Sequence, residues 1–194
     1  SDMSSFSFYF GHQLSTIEGG MVNTSDKELH DMLLMLRSHG WGKDLDEEKY
    51  NKLIKENKID DFHKAFTFFV PGFNLRATDL QAFIGLRQIR KANSICQRRN
   101  ENHLRYAENL KDCVSFQKWD NNYPVSISFS ALSKSKGHRK RIINNLVNNG
   151  IETRIFSAGD EMSDRIYQTG FFVPNYPELK LEEVDLISEV IKNS

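Results

Sequence analysis

Cysteine is nearly absent from this chain, and its scarcity argues against two classes of protein. The 194 residues include only Cys96 and Cys113. Two cysteines are too few for the disulfide framework that stabilises small secreted domains. They are also not clustered as the ligands of an iron–sulfur centre are. We therefore expect ordinary reduced thiols, with no iron–sulfur cluster and no metal.

A net charge and a long apolar run are missing as well. Lys and Arg together number 26, Asp and Glu together number 26, and the formal net charge is zero. Without a whole-chain electrostatic field, nucleic acid and an anionic membrane are poor candidate partners. No apolar run reaches the roughly 18 residues that span a bilayer, and no secretory signal begins the chain. These absences predict a cytoplasmic protein with neither a membrane nor a nucleic acid as partner.

The most informative feature that is present is a histidine in a strand–turn–strand segment. Residues 5–22 read SFSFYFGHQLSTIEGGMV: an apolar and aromatic strand, a glycine, His12, a turn and a second short strand. A histidine in such a position is more often a hydrogen-bonded core or rim residue than a catalyst. Its interpretation depends on the neighbouring Ser7, Gly19 and Gly20, and on a second block further along the chain.

The second block is a loop that leads into a helix. Residues 69–92 read FVPGFNLRATDLQAFIGLRQIRKA. The Pro-Gly pair predicts a turn, Thr78 or Asp79 can begin a helix, and apolar residues then recur with helical spacing. Asn74 and Arg76 lie in the loop, and from the residues alone the simplest role of their side chains is to cap the following helix.

Together the two blocks resemble the DegT/DnrJ/EryC1/StrS sugar aminotransferases, which hold pyridoxal phosphate (PLP) on a lysine as a Schiff base. The resemblance places His12 where that lysine stands. It matches Ser7 to a ligand of the cofactor phosphate within the same subunit. It matches Asn74 to a residue that reaches the cofactor phosphate of the neighbouring subunit. The resemblance therefore implies a homodimer with PLP or pyridoxamine phosphate (PMP) as cofactor.

The exchange of lysine for histidine changes the expected reaction. An imidazole cannot form a stable imine, but with an unperturbed pKa of about 6.5 it is a competent base near neutrality. The histidine-bearing members that this chain resembles remove the 3-hydroxyl of a nucleotide-linked 4-keto-6-deoxyhexose, with L-glutamate as amino donor. We therefore expect His12 to be the catalytic acid and base of a 3-dehydration, and the local match favours a GDP-linked substrate. Two alternatives stay open: sugar aminotransfer with an unusual histidine, and a noncatalytic lobe that dimerises or binds a sugar nucleotide.

Three further residues are candidate substrate contacts. His39 matches a family position near the active site, although basic residues at a helix C-terminus also interact favourably with the helix dipole. Arg76 follows in the loop described above. Arg154, in the string GIETRIFSAG, is placed by the resemblance beside the nucleotide-sugar pocket, where a guanidinium can pair with phosphate oxygens; a structural ion pair is the alternative. The basic cluster over 134–141 is more typical of a solvated helix face.

The resemblance implies an α/β fold in two parts. Residues 1–91 are predicted to be the end of the large PLP-binding domain of a fold-type I PLP enzyme. Residues 92–194 are predicted to be a long connecting helix and a small α+β C-terminal domain.

Apolar periodicity predicts the individual elements. Helices are predicted over 26–40, 92–111 and 138–147, strands over 21–24, 125–132 and 151–156, and a charged, exposed insertion over 44–61. On the long helix, Ile95, Leu104, Ala107 and Leu110 are predicted to face inward, and Arg98, Arg99 and Arg105 to face solvent.

We expect the chain to be the C-terminal part of a longer protein. In the family, an aspartate for the pyridine nitrogen, a stacking aromatic and further phosphate donors precede the lysine position, and these residues do not include them. After Gly159 a family segment with a histidine, a proline and an aromatic residue is also missing, either deleted or omitted. We therefore predict that the chain is inactive alone.

Overall fold

The computed structural model describes residues 2–119, 123–156 and 164–194, which contain both helices and strands. The elements are β1 (Met3–Ser7), β2 (Gly20–Thr24), α1 (Lys27–Arg37), α2 (Glu47–Glu56), α3 (Asp79–Ile89), α4 (Ala92–Leu110), β3 (Ser115–Phe116), β4 (Ser128–Leu132), α5 (Lys136–Asn148), β5 (Arg154–Ile155), α6 (Asp164–Thr169), β6 (Gly170–Pro174) and α7 (Leu181–Lys192). They form two compact units. The N-terminal unit comprises Ser1–Phe10 and Leu14–Gln88, and the C-terminal unit comprises Gly11–Gln13 and Ile89–Ser194.

The N-terminal unit begins with an antiparallel hairpin of β1 and β2, in which Met3 pairs with Thr24. Helix α1 follows because Asp26 accepts hydrogen bonds from two free amides of its first turn, a cap of about 1 kcal/mol. The predicted helix over 26–40 is confirmed in position, although it ends at Arg37. Helix α2 occupies the predicted charged insertion and buries none of its side chains.

The C-terminal unit is an antiparallel sheet with helices packed on it. Its strand order is β3-β4-β6-β5, with every neighbouring pair antiparallel. One apolar core joins the sheet to α4, α5 and α7. It consists of Tyr106, Leu110, Val114, Phe129, Ala131, Ile142, Leu146, Phe171, Val173, Leu179, Val184, Ile187 and Ile191.

The predicted orientation of α4 is wrong at two positions. Arg99 was expected to face solvent but is only 3% exposed, whereas Leu104 was expected to face inward and is 44% exposed. The reason is that the guanidinium of Arg99 donates to main-chain carbonyls, among them those of Ile127 and Asn175. Hydrogen bonding thus overrides the usual preference of a charged side chain for water.

The two later strands are shorter than predicted. β4 begins at Ser128 rather than at 125, and β5 covers only Arg154–Ile155 of the predicted 151–156. The carbonyls over 124–127 accept hydrogen bonds from side chains instead of from a neighbouring strand. The expected missing segment after Gly159 lies outside the described residues.

Candidate functional site

His12 lies in the loop of the β1–β2 hairpin. The two backbone segments that continue β1 and β2 stay paired beyond the strands, because Phe8 N–H donates to Gly19 O and Phe10 N–H donates to Ile17 O, both at 2.9 Å. The loop then turns at Gly11, whose φ of 95° is in the left-handed region that favours glycine. His12 is half-buried. The predicted catalytic residue is therefore presented by a turn at the closed end of a hairpin.

Ser7 is the last residue of β1 and is exposed. Its Oγ accepts a hydrogen bond from the N–H of Tyr9 at 3.3 Å. A serine hydroxyl that accepts from the main chain still has its own O–H to donate. The side chain is thus of a kind that can bind a phosphate oxygen, as predicted for the cofactor phosphate.

His39 and Asn74, which are 35 positions apart in sequence, lie on adjoining backbone segments. An isolated antiparallel bridge joins Ser38 to Asn74. The N–H of His39 donates to Phe73 O at 2.7 Å, and the N–H of Leu75 donates to Arg37 O at 2.9 Å. The structure therefore brings two predicted site residues together within the N-terminal unit.

Two glycines allow this close approach. A Cβ on Gly72 would lie 2.2 Å from the amide nitrogen of Gly40, and a Cβ on Gly40 would lie 1.6 Å from Val70 O. Gly40 also has a φ of 89°. Any side chain here would push the two segments apart, so the loop that carries Asn74 depends on both glycines. The turn predicted from the Pro-Gly pair is wrong, because residues 71–73 form no turn and Gly72 instead serves the close approach to Gly40.

Asn74 and Arg76 do not cap α3, so the simpler alternative for these side chains is wrong. Thr78 N–H donates to Gln81 Oε1 at 2.9 Å, and Gln81 N–H donates to Thr78 Oγ1 at 3.4 Å, which is the reciprocal arrangement of a capping box. Residues 71–80 are all exposed. Both Asn74 and Arg76 are thus presented to solvent, where a ligand or a second subunit can reach them.

Arg154 lies on β5 and makes the ion pair that was considered as the alternative to a ligand contact. Its Nη2 is 2.8 Å from Glu152 Oε1, and the two side chains are 70% and 72% exposed. A pair this exposed stabilises the fold by less than about 1 kcal/mol. It therefore leaves Arg154 available to a ligand at little cost.

The side chain of Arg154 also lines a groove of ≈ 800 Å³ between α5 and β5. Lys136, Arg139 and Lys140 line the same groove, with Ile143 and Ile155 among its apolar lining residues. Part of the basic cluster, which was expected only to be solvated, therefore faces a concave surface together with Arg154. Four cations on one groove attract a polyanion.

No metal site or membrane span is found in the described ranges. No three His, Cys, Asp or Glu side chains are grouped there as metal ligands. No described helix has the length and the apolar character needed to cross a bilayer. The absence of a metal and the cytoplasmic location stay predictions.

The sequence pattern of the DegT/DnrJ/EryC1/StrS aminotransferase family matches residues 1–192. The chain belongs to this family. It is 28% identical to GDP-4-keto-6-deoxy-D-mannose 3-dehydratase of Escherichia coli O55:H7 and 30% identical to the enzyme of the same name from Yersinia pseudotuberculosis. The alignments cover 98% of this chain but 54% and 52% of the two relatives. The chain thus spans about half the length of these relatives.

Solved structures give the same result for the fold. The E. coli 3-dehydratase with bound hydrated PLP matches with a TM-score of 0.83 at 27% identity, over 98% of this chain and 54% of that one. A 3-dehydratase variant with a histidine replaced by asparagine, which holds GDP-perosamine, matches with a TM-score of 0.84 at 26% identity and the same coverage. A 3-dehydratase structure with a trapped PLP–glutamate geminal diamine matches at 0.79 and 26% identity, again over 98% and 54% of the two chains.

These comparisons confirm the predicted family and the fold of PLP-dependent aminotransferases. The relatives of the chain include 3-dehydratases and aminotransferases, which are PLP-dependent sugar-modifying enzymes. The division into residues 1–91 and 92–194, and the roles of the individual site residues, stay predictions.

Proposed function

We propose that the complete protein catalyses the PLP- and PMP-dependent 3-dehydration of a nucleotide-linked 4-keto-6-deoxyhexose. GDP-4-keto-6-deoxy-D-mannose is the proposed substrate, because two relatives with that activity in their names align over 98% of this chain. L-Glutamate is the proposed amino donor, since a similar solved structure holds a PLP–glutamate adduct. The observation that carries the proposal is an imidazole, His12, at the hairpin turn where the family resemblance expects a lysine.

The side chains of this chain fit the cofactor by their chemistry. PLP and PMP, when bound, supply an electron sink for bond breaking at the neighbouring sugar carbon. The Ser7 hydroxyl and the Asn74 carboxamide are neutral donors of the type that binds phosphate oxygens. We propose that Ser7 binds the cofactor phosphate of its own subunit and that Asn74 binds that of a second subunit in a homodimer. The exposure of residues 71–80 supports the second role.

His12 is proposed to move the protons of the reaction. As a neutral imidazole it removes a proton, and as an imidazolium it gives one to the departing 3-hydroxyl. It cannot capture the cofactor covalently, so its imidazole would stay available for proton transfer. The half-buried position of His12 supports this role, because the ring is partly shielded and still accessible.

The substrate is proposed to contact His39, Arg76 and Arg154. Arg154 is the best supported of the three, since its groove also contains Lys136, Arg139 and Lys140. Guanidinium and ammonium groups on one surface match the charges of a diphosphate. His39 is held beside the Asn74 segment by the hydrogen bond of its N–H to Phe73 O.

The test uses the complete protein with PLP, L-glutamate and the GDP-linked 4-keto sugar. We expect release of ammonia and of a 3-deoxy sugar. His12→Asn should retain PLP binding and lose about 10²- to 10⁴-fold in kcat, the usual contribution of a positioned acid–base group. His12→Lys should abolish dehydration and link PLP covalently after borohydride reduction, as shown by the mass of the intact protein. Ammonia release by His12→Asn at the parent rate would refute the role of His12.

Sugar aminotransfer is the second candidate, because the matching family is one of aminotransferases. It predicts an amino sugar as product in place of ammonia, so the same reaction mixture separates the two. A complete protein that does not bind PLP at all would instead favour a noncatalytic lobe for dimerisation or sugar-nucleotide binding.

A further inference from the structure

Four consecutive carbonyls in the C-terminal unit, over residues 124–127, accept hydrogen bonds from side chains rather than from a strand. We call this segment the carbonyl row. The donors are Asn100 Nδ2 to Pro124 O at 3.3 Å, Gln13 Nε2 to Val125 O at 3.3 Å, Asn175 Nδ2 to Ser126 O at 2.9 Å, and Arg99 Nη1 to Ile127 O at 3.2 Å.

Three of these donors are buried, and two of them, Arg99 and Asn175, also bond to each other. Arg99, Asn100 and Asn175 are 3%, 7% and 0% exposed. Arg99 donates to the carbonyl of Asn175, and Asn175 Nδ2 donates back to the carbonyl of Arg99 at 3.1 Å. A buried polar group that loses its partner costs about 1–3 kcal/mol, and more if it is charged. The carbonyl row is therefore fixed to the rest of its unit.

Arg99 is charged, yet within the described ranges it forms no ion pair with a carboxylate. Burial lowers the pKa of its guanidinium, and the carbonyls of Ile127 and Asn175 take the place of a counter-ion. Moving the carbonyl row would leave this charge unsolvated. The segment thus resists displacement more than an ordinary loop does.

The fourth donor comes from a distant part of the chain. Gln13 is 112 positions from Val125, and it directly follows His12. Gly11, on the other side of His12, has a left-handed φ of 95°, and a Cβ added to it would meet no atom within 4 Å. The backbone before His12 is thus loosely surrounded, whereas the side chain after it is bonded to a fixed carbonyl.

We propose that Gln13 is a positioning residue for His12, because it ties the histidine-bearing turn to the carbonyl row that Arg99, Asn100 and Asn175 hold in place. The inference rests on the proposed function of His12 as acid and base. A proton-transfer group works only within a narrow range of distances, and a misplacement of about 1 Å can cost about 100-fold in rate. Gln13 need not touch the substrate or the cofactor to have this effect.

The test is a series of substitutions at position 13 in the complete protein. Gln13→Ala removes the donor. Gln13→Glu keeps the shape but directs a carboxylate, which can only accept, at the carbonyl of Val125. Gln13→Lys retains a donor on a longer chain. Gln97→Ala is the matched control, since Gln97 is exposed and its amide contacts Glu101.

We expect kcat to fall about 10- to 100-fold for Gln13→Ala and at least as much for Gln13→Glu. Gln13→Lys should recover most of the loss, and Gln97→Ala should match the parent. KM for the nucleotide sugar and the absorbance of bound PLP should stay unchanged, because the contacts of substrate and cofactor are retained. Hydrogen exchange of a peptide over residues 9–15 should be faster in Gln13→Ala than in the parent.

Each of the other possible outcomes shows whether the role of Gln13 or the proposed function is wrong. A parent that dehydrates and a Gln13→Ala variant with equal kcat and equal hydrogen exchange would overturn this inference alone. A loss of PLP binding or of thermal stability that accounts for the whole fall in kcat would assign Gln13 a structural role and overturn it too. A complete parent protein without dehydration would overturn the proposed function and with it any catalytic role of Gln13.

Discussion

The two units of this chain bury apolar surface to very different extents. In the C-terminal unit, thirteen apolar side chains form one buried cluster. In the described part of the N-terminal unit, the buried apolar side chains are Met35 and Leu45, while Phe62 and Phe66 are 87% and 73% exposed. The N-terminal unit keeps its local structure through main-chain pairing, as in the β1–β2 hairpin and the bridge between Ser38 and Asn74.

The difference indicates which unit has the apolar core that folding by itself requires. Burial of apolar surface is the main favourable term in folding, and the C-terminal unit has it. The N-terminal unit leaves all described side chains of α3 outside the buried class, which is unusual for a helix with this many apolar residues. The chain spans about half the length of its relatives, and a second subunit in the homodimer proposed above would cover part of this surface.

Removal of one phenylalanine from each unit should give the largest contrast. Phe129 is fully buried and packs on Tyr106, with ring centroids 4.9 Å apart. Phe129→Ala should destabilise the C-terminal unit by about 3–5 kcal/mol, because the transfer free energy of the ring is lost and a cavity is left behind. Phe83, on α3, is 55% exposed, and Phe83→Ala should change the free energy of unfolding by less than about 1 kcal/mol. Urea unfolding of this chain measures both.

The same two variants can also be compared in the complete protein. If a second subunit covers α3 in the proposed homodimer, Phe83→Ala should raise the dissociation constant of that homodimer. Equal stability losses for the two variants in this chain would show that the N-terminal unit has a core of its own and would contradict the comparison.

Much of the fold could be predicted because its signals are local. The cap at Asp26, the start of α3 after Thr78 and the apolar spacing of α4 and α5 each depend on residues within a few positions of one another. The inward position of Arg99 could not be predicted, because its partners Ile127 and Asn175 are 28 and 76 positions away. Helical periodicity assigns a charged residue to solvent unless such partners are known.

The candidate site likewise contains residues that could be predicted from the sequence and residues that could not. His12, Ser7 and Asn74 were proposed from a family resemblance, which contains information that spacing alone lacks. The contact between Gly40 and Gly72 and the hydrogen bond from Gln13 to Val125 join distant segments, and no local pattern marks either. Residues that join distant segments hold the site in place. They cannot be recognised from a single sequence, because their partners lie far away along the chain.

Substitution of one glycine in each unit by alanine should have an effect of intermediate size. A Cβ on Gly72 would lie 2.2 Å from the backbone nitrogen of Gly40, whereas a Cβ on Gly137 would meet only Ser135 Oγ at 3.9 Å. Gly72→Ala should therefore destabilise the N-terminal unit by about 1–3 kcal/mol through overpacking. Gly137→Ala, near the start of α5, should stabilise the C-terminal unit by about 0.5–1 kcal/mol because alanine favours a helix.

Hydrogen exchange locates the effect of the Gly72 substitution. The amides of Phe73 and Leu75 donate to Leu36 O and Arg37 O, so both should exchange faster in Gly72→Ala. Unchanged protection of these two amides would mean that the loop can shift without losing its contact with the His39 segment, and the proposed constraint on Asn74 would be wrong.

The smallest expected effect is a pH dependence confined to the C-terminal unit. Burial lowers the pKa of His103 below its ordinary value of 6.5, and its ring packs on Phe129 with centroids 5.0 Å apart. Below about pH 6.5 the unfolded chain binds a proton that the folded chain binds less readily, so the stabilisation that is present above this pH is lost as the pH falls. The free energy of unfolding of this unit should therefore decrease between pH 7.5 and about pH 5.5.

His103→Phe should flatten this dependence, even though loss of the hydrogen bond to Ser126 Oγ at 3.0 Å should cost about 1 kcal/mol at pH 7.5. His138, in the same unit, provides a graded comparison. Its pKa is also lowered, by burial and by Arg141 and Lys134, so His138→Asn should reduce the slope as well. The ring of His138 is less enclosed than that of His103, and its substitution should therefore remove the smaller share. A slope that survives both substitutions would mean that other groups govern the acid sensitivity of the unit, and that the aromatic core around Phe129 accepts a charged imidazole.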